Sequence, residues 1–211
     1  MKINLGCGPN GQIDGFINID NSKAVLLEKS PLIKKILYKF NIITKEKYEA
    51  DWTNVMFADV SRRIPFKNDS IKKIYTSHFL EHLPKDKGQS VLVNCYRILK
   101  DGGVIRIVLP DLLWHVEQYI KSTKVMIKKE QNEFNSDAHD SFLNNIYGAY
   151  LTNARYGLEH CYMYDVPTIV CILRDVGFRD IEICDYQKGR DMELASYDSR
   201  PNDSMHIQCY K

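Results

Sequence analysis

No stretch of these 211 residues approaches the roughly 20 consecutive apolar positions that a helix needs to cross a bilayer. The N-terminus enters an apolar strand at once, with no leader pattern of a basic start and an apolar middle. An excess of one charge is also lacking: 29 Lys and Arg face 27 Asp and Glu, so a nucleic-acid footprint is not expected. The six cysteines (Cys7, Cys95, Cys161, Cys171, Cys184, Cys209) include no C-x-x-C pair, which argues against a zinc ribbon or a disulfide framework. They read as reduced core or strand residues, a cytoplasmic location is the default expectation, and no bound metal is expected. Internal repeats and low-complexity linkers are missing too, so one domain over 1–211 is expected.

What is present is the composition of a folded protein, 44% hydrophobic and 27% charged, with both kinds spread along the chain. Short apolar runs at 2–5, 16–20, 55–59, 71–76 and 103–109 alternate with helical patterns such as 86–99. There Val91, Leu92, Cys95, Ile98 and Leu99 recur at helical spacing. A helix over 167–176, opened by Pro167 and closed by Gly177, precedes strands at 181–185 and 204–210. Alternation of this kind predicts an α/β fold whose mostly parallel sheet has helices on both faces. Asp101-Gly102-Gly103 is expected as the punctuation between helix and strand.

Directly after the first strand, Gly6-Cys7-Gly8-Pro9-Asn10-Gly11 satisfies G-x-G-x-x-G, which by itself admits NAD, FAD or S-adenosylmethionine (SAM). Only seven residues, Pro9 to Gly15, separate this loop from the next strand. That is short for the crossover helix whose N-terminus meets a pyrophosphate, and SAM has no phosphate to meet. SAM needs close backbone approach, acceptors for its ribose hydroxyls and a partner for its adenine. Asp20 closes the second strand and Asp59 the third, at the sheet edge where open parallel sheets bind ligands. Asp20 is therefore assigned to the ribose, and Asp59 with the Val60 backbone to the adenine. Cys7, between two glycines, reads as a small residue and not a nucleophile.

Taken in order, Ile3 to Gly8, Gly15 to Asp20, Ala58-Asp59-Val60, Ile64-Pro65-Phe66, Ser77 to Leu83, Leu99 to Gly103 and Arg106 to Leu112 resemble class I SAM-dependent methyltransferases. The likeness is greatest to a bacterial branch associated with cell-surface polysaccharide synthesis, and it resumes at Leu173 to Phe178. The resemblance implies a Rossmann-like, seven-stranded sheet with an antiparallel last strand. It also implies SAM contacts from Gly6, Cys7, Gly8, Asp20, Asp59, Val60 and Ser77, with His78 beside them. Two departures stand out. Asn4 replaces an acidic residue common in such enzymes, and the chain starts at the first strand, so something other than N-terminal helices is expected to cover the site.

Two insertions are expected to act as lids, at about 21–54 and 112–165. In the first, Lys outnumbers Glu seven to two between Asn21 and Tyr48. Its segment 31–40 sets Leu32, Ile33, Ile36, Leu37 and Phe40 on one helical face and Lys34, Lys35 and Lys39 on the other. Such a segment suits either a packed lid or peripheral contact with an anionic membrane. The second is rich in Tyr, Asn and His, side chains that suit a sugar or another small hydroxylated acceptor.

Transfer to an oxygen usually needs a base. The resemblance points first to His160, in Glu159-His160-Cys161-Tyr162-Met163-Tyr164-Asp165, and second to Asp111 after Pro110. Asp111 also suits a helix cap. Two rival functions remain: a SAM-binding protein without catalysis, and a zinc hydrolase using His78-x-x-Glu81-His82, against which Pro84 would limit the helix that motif needs.

Overall fold

A computed structural model of the chain describes residues 1–128, 135–148 and 159–211. Seven strands form one sheet: β1 (Lys2–Leu5), β2 (Ile17–Asp20), β3 (Val55–Phe57), β4 (Ile71–Ser77), β5 (Leu99–Pro110), β6 (Arg179–Cys184) and β7 (Ser204–Tyr210). Their spatial order is β3-β2-β1-β4-β5-β7-β6. β1 to β5 pair in parallel, while β7 runs antiparallel to both β5 and β6. This is the Rossmann-like α/β sheet expected from the alternation of elements.

Helical cover is unequal on the two faces. The first face packs α4 (Lys85–Ile98) and α7 (Val166–Val176) onto a dry core, in which Val91, Leu92, Cys95, Ile169 and Leu173 meet Ile3, Leu5, Ile74, Ile105 and Ile107. Each such fully buried aliphatic side chain contributes roughly 1.5–3 kcal/mol. The second face carries Tyr75, Val104 and Val108 against Ile13, Phe16 and Leu194, the last from the single-turn α8 (Met192–Ala195). Polar groups are buried on this face as well: the Arg106 guanidinium pairs with Asp198 and also donates to the Lys188 carbonyl. The C-terminal segment between β6 and β7 thus lies where a β1-to-β2 helix would otherwise pack. No helix forms between β1 and β2, as the seven-residue spacing predicted.

Asp101-Gly102-Gly103 departs from its expected place. The helix already stops at Ile98, and Leu99 pairs with Ile71 as the start of β5. The two glycines occupy a register shift inside the strand, where Gly102 adopts φ +68°, a left-handed conformation that glycine takes without steric cost.

The first insertion folds as α1 (Lys23–Glu28), α2 (Pro31–Lys39) and α3 (Lys45–Glu49). Nothing on α2 is buried; Leu32 and Phe40 are 71% and 68% exposed, so its apolar face is open and not packed as a lid. Lys34 does not join the solvated basic face, because it pairs with Glu28 at 2.5 Å and donates to the Ala50 carbonyl. The second insertion contributes α5 (Leu112–Ile127) and α6 (Asp137–Tyr147), joined by stacking of Tyr119 on Phe142 at 4.7 Å. The remainder of the expected lid, 129–134 and 149–158, lies outside the described residues. Among the described residues no helix is long and apolar enough to cross a membrane.

Candidate active site at the strand ends

The glycine loop is stitched to β2 by the backbone: Gly6 and Cys7 N–H groups both donate to the Ile19 carbonyl, and the Gly11 N–H closes back on Cys7. Gly6 sits at φ +65°, and a Cβ there would overlap the Phe79 ring. Glycine at this position therefore satisfies both a left-handed backbone and a close approach. Gly8, at φ +56°, would point a Cβ into open space, as expected of backbone left bare for a ligand.

Asp20 accepts from the Gly8 N–H at 2.9 Å and from the Ser22 N–H at 2.8 Å, so one carboxylate braces the loop against the end of β2. A carboxylate has about four acceptor sites, and these two bonds leave capacity for ribose hydroxyls. Asp59 lies two residues beyond β3 in a turn, accepting from the Ser61 N–H and hydroxyl and pairing with Arg62 at 3.1 Å. The neighbouring Val60 is buried in the core.

Asn4 is not aimed at a ligand amine. Its amide donates to the Gly11 carbonyl at 2.7 Å and to Asn18 at 2.9 Å, and thereby ties down the far end of the loop. Burial, with a smaller push from Asp20, raises the Cys7 thiol to about 12, so it stays protonated and is no nucleophile.

Beside the loop lies a cavity of about 390 Å³, within the range of about 300–1,000 Å³ typical of small-molecule sites. Gly6, Cys7, Ser77 and His78 line it, together with Tyr197 and Arg200 of the C-terminal segment. Gly8, Asp20, Asp59 and Val60 lie outside that lining, along the ends of β2 and β3. A cavity of about 580 Å³ elsewhere, around Arg63 and Arg97, lies away from these strand ends, and its Arg97 is spent on the Ile64 and Phe66 carbonyls.

Next to the cavity, one short turn follows β4. His78 follows β4 in a left-handed conformation, φ +49°, which is unusual for a residue with a side chain. Its Nε2 stands 3.0 Å from the Ser204 hydroxyl, and its Nδ1 lies 3.2 Å from Glu81 Oε1. Leu80–His82 form a single 3-10 turn that ends before Pro84. The His78-x-x-Glu81-His82 motif is thus not carried on one helical face, and the geometry of the hydrolase reading is not formed.

The returning segment of the second insertion docks on this turn. Cys161 and Tyr162 N–H groups donate to the Glu81 carbonyl, and His82 Nδ1 lies 3.1 Å from the Glu159 carbonyl. His160 is thereby placed against His82, with ring centroids 5.2 Å apart. Burial holds its imidazole below the usual pKa, against an opposing pull from Glu81. Asp111, the second candidate base, is the N-cap of α5: its carboxylate accepts from the Leu113 N–H at 3.0 Å.

Sequence reasoning underrated Glu81, which appeared only as part of the rival motif, yet its side chain is fully buried. It missed Ser204, Tyr197 and Arg200 altogether, since no local pattern marks a strand start or a loop as the wall of a site. Tyr164, another buried neighbour, fits because Gly88 has no side chain to meet its hydroxyl.

Comparison with known families matches residues 3–107 to a methyltransferase domain. Among solved structures, a SAM-dependent methyltransferase from Archaeoglobus fulgidus superposes with a TM-score of 0.54 at 16% identity, over 100% of this chain and 85% of that one. One from Methanosarcina mazei gives 0.52 at 16% identity, over 100% and 91%. One from Mesorhizobium loti gives 0.51 at 15%, over 100% and 90%. Comparison with curated proteins finds no match in sequence. Residues 3–107 are thus similar to a methyltransferase domain, and the chain as a whole shares the Rossmann-like fold of these SAM-dependent methyltransferases.

Proposed function

We propose that the protein moves a methyl group from SAM to an oxygen of a sugar or another small hydroxylated acceptor, in cell-surface polysaccharide synthesis in the cytoplasm. The observation that carries this reading is the adjacency of two differently built sites: a glycine loop braced by Asp20, and a histidine- and carboxylate-lined turn directly after β4. Gly6, Cys7 and Gly8 present backbone to the methionine part, Asp20 takes the ribose, and Asp59 with the Val60 backbone takes the adenine. Ser77 and His78 stand where the two ligands would meet, since both line the cavity beside the loop.

SAM, when bound, would supply an electrophilic sulfonium methyl, and His160 would take the proton of the acceptor hydroxyl. The chain's task is chiefly to hold the acceptor in line with that methyl. His160 is assigned to activating the acceptor oxygen. Asp111 caps α5 through one hydrogen bond and stays the second candidate base, with acceptor capacity left on its carboxylate. Tyr119, Phe142 and Asn145, which line a small recess between α5 and α6, offer the stacking and hydrogen-bonding groups that suit a ring-shaped polyol. On the open side, exposed Leu32, Ile33, Ile36 and Phe40 next to Lys35 and Lys39 support peripheral contact with an anionic membrane.

Calorimetry with SAM and with NAD, followed by methyl release from labelled SAM to a panel of sugars, tests the reading. SAM binding with methylated sugar as product is the expected result. NAD binding in place of SAM would refute the cofactor assignment; SAM binding with no transfer to any acceptor class would favour a binding module without catalysis.

A further inference from the structure

We infer that Glu81, His82 and His160 form a binding site for a single divalent transition-metal ion, with zinc the first choice, at the 3-10 turn that follows β4. One ligand atom from each residue lies within 4.8 Å of the other two. A tetrahedral zinc ion bound at about 2.0–2.1 Å holds neighbouring donors roughly 3.3 Å apart, so side-chain rotations closing up to about 1.5 Å complete the set.

Three features of the cluster point to a cation. Glu81 is 0% exposed, and among the described residues its carboxylate oxygens make no hydrogen bond that satisfies them, the nearest group being His78 Nδ1 at 3.2 Å from Oε1. Among the described residues no lysine or arginine pairs with it; Lys85, close in sequence, instead lies over the Tyr162 ring, 5.3 Å from its centroid. A buried carboxylate with a single imidazole beside it is poorly compensated, and a bound cation removes that penalty. Next, His82 has its Nδ1 on the Glu159 carbonyl, a bond that fixes the ring and leaves Nε2 as the nitrogen available to an ion. Finally, His160 Nδ1 is buried with no hydrogen-bond partner. His78 is not part of the set, because its two nitrogens already face Ser204 and Glu81.

Two imidazoles and one carboxylate are a borderline donor set that suits zinc and its neighbours, and three protein ligands leave a position open. The site differs from the hydrolase motif in the sequence: the second histidine ligand comes from the returning segment, not from position 78. Its chemical role rests on the methyltransferase reading. An acceptor hydroxyl in the open position becomes more acidic, its proton passes to water, and the resulting oxygen lone pair attacks the methyl carbon. His160 then acts as a ligand to the ion. The existence of the site does not depend on that role.

The test uses the full-length protein, stripped with chelator and titrated with Zn²⁺ against a chromophoric competitor, and separately with Co²⁺ followed by visible absorption. One equivalent is expected at micromolar affinity or tighter, with Co²⁺ giving the intense bands of a low-coordinate N/O site. Glu81→Gln and His160→Ala should each weaken Zn²⁺ binding at least tenfold, and His82→Cys should bind more tightly than His82→Ala. Circular dichroism and SAM calorimetry on the same variants report whether they fold. No stoichiometric binding, or binding that folded variants leave unchanged, overturns the inference. Metal binding without methyl transfer would leave the site standing and sink the functional reading; transfer by a metal-free protein that binds no Zn²⁺ would do the reverse.

Discussion

At the β1–β2 edge, Gly8 and Asp20 are joined by a hydrogen bond across twelve positions of sequence, whereas at the β4–β5 edge His82 meets Glu159 across 77 and His78 meets Ser204 across 126. The first edge is made mostly of backbone: a glycine loop, two carbonyl-anchored N–H groups and one bracing carboxylate. The second is made of side chains from a 3-10 turn, a returning segment and the start of β7. An edge built locally can hold an invariant nucleoside, while an edge assembled from distant loops can change its acceptor without disturbing the cofactor. The two should therefore fail separately when mutated.

The largest separation is expected for His160→Ala, which should lower kcat by about 10²–10⁴-fold while leaving SAM affinity near its starting value. Single-turnover methyl transfer and calorimetry measure the two, and an equal loss in both would mean that the edges act as one unit. Asp20→Ala should show the opposite pattern. Hydrogen bonds to a charged group are worth about 1.5–3 kcal/mol, so SAM affinity should drop roughly 10–100-fold in a protein with unchanged circular dichroism. Near-native affinity would remove Asp20 from the ribose.

Gly6→Ala sharpens the boundary between the edges, because the new Cβ would press on Phe79, the residue between His78 and the 3-10 turn. A stability loss of about 1–3 kcal/mol in chemical denaturation is expected, with both SAM affinity and turnover reduced. Asp111→Ala removes the α5 cap. It should cost about 1 kcal/mol with turnover retained, and a collapse of turnover would place this residue ahead of His160 as the base. The smallest effect on stability, within about 0.5 kcal/mol, is expected from Phe40→Ser on the open face of α2. Its readout is flotation with anionic vesicles, and unchanged flotation relative to the starting protein would remove the membrane contact.

The strands were legible because a parallel sheet buried on both faces leaves short apolar runs, and β7 was delimited at Ser204–Tyr210 from its pattern alone. Asp20 and Gly6 could be placed because their neighbours in sequence are also their neighbours in space. Asp101-Gly102-Gly103 was misplaced because a helix stop and a bulge inside a strand both call for glycine, and only the pairing of Leu99 with Ile71 separates them. The apolar stripe of α2 was read correctly as a stripe, but periodicity does not say whether anything covers it. Glu81 looked like half of a sequence motif until its burial and its distance to His160 were known.

Sequence alone determined the alternation of strands and helices and the helix-free step from β1 to β2, since both follow from spacing along the chain. Tertiary structure alone decided that the segment between β6 and β7 covers the second face and that His160 lands against Glu81 and His82. Those outcomes depend on which distant segments compete for the same buried hydrogen-bonding groups, and linear spacing carries no record of that competition.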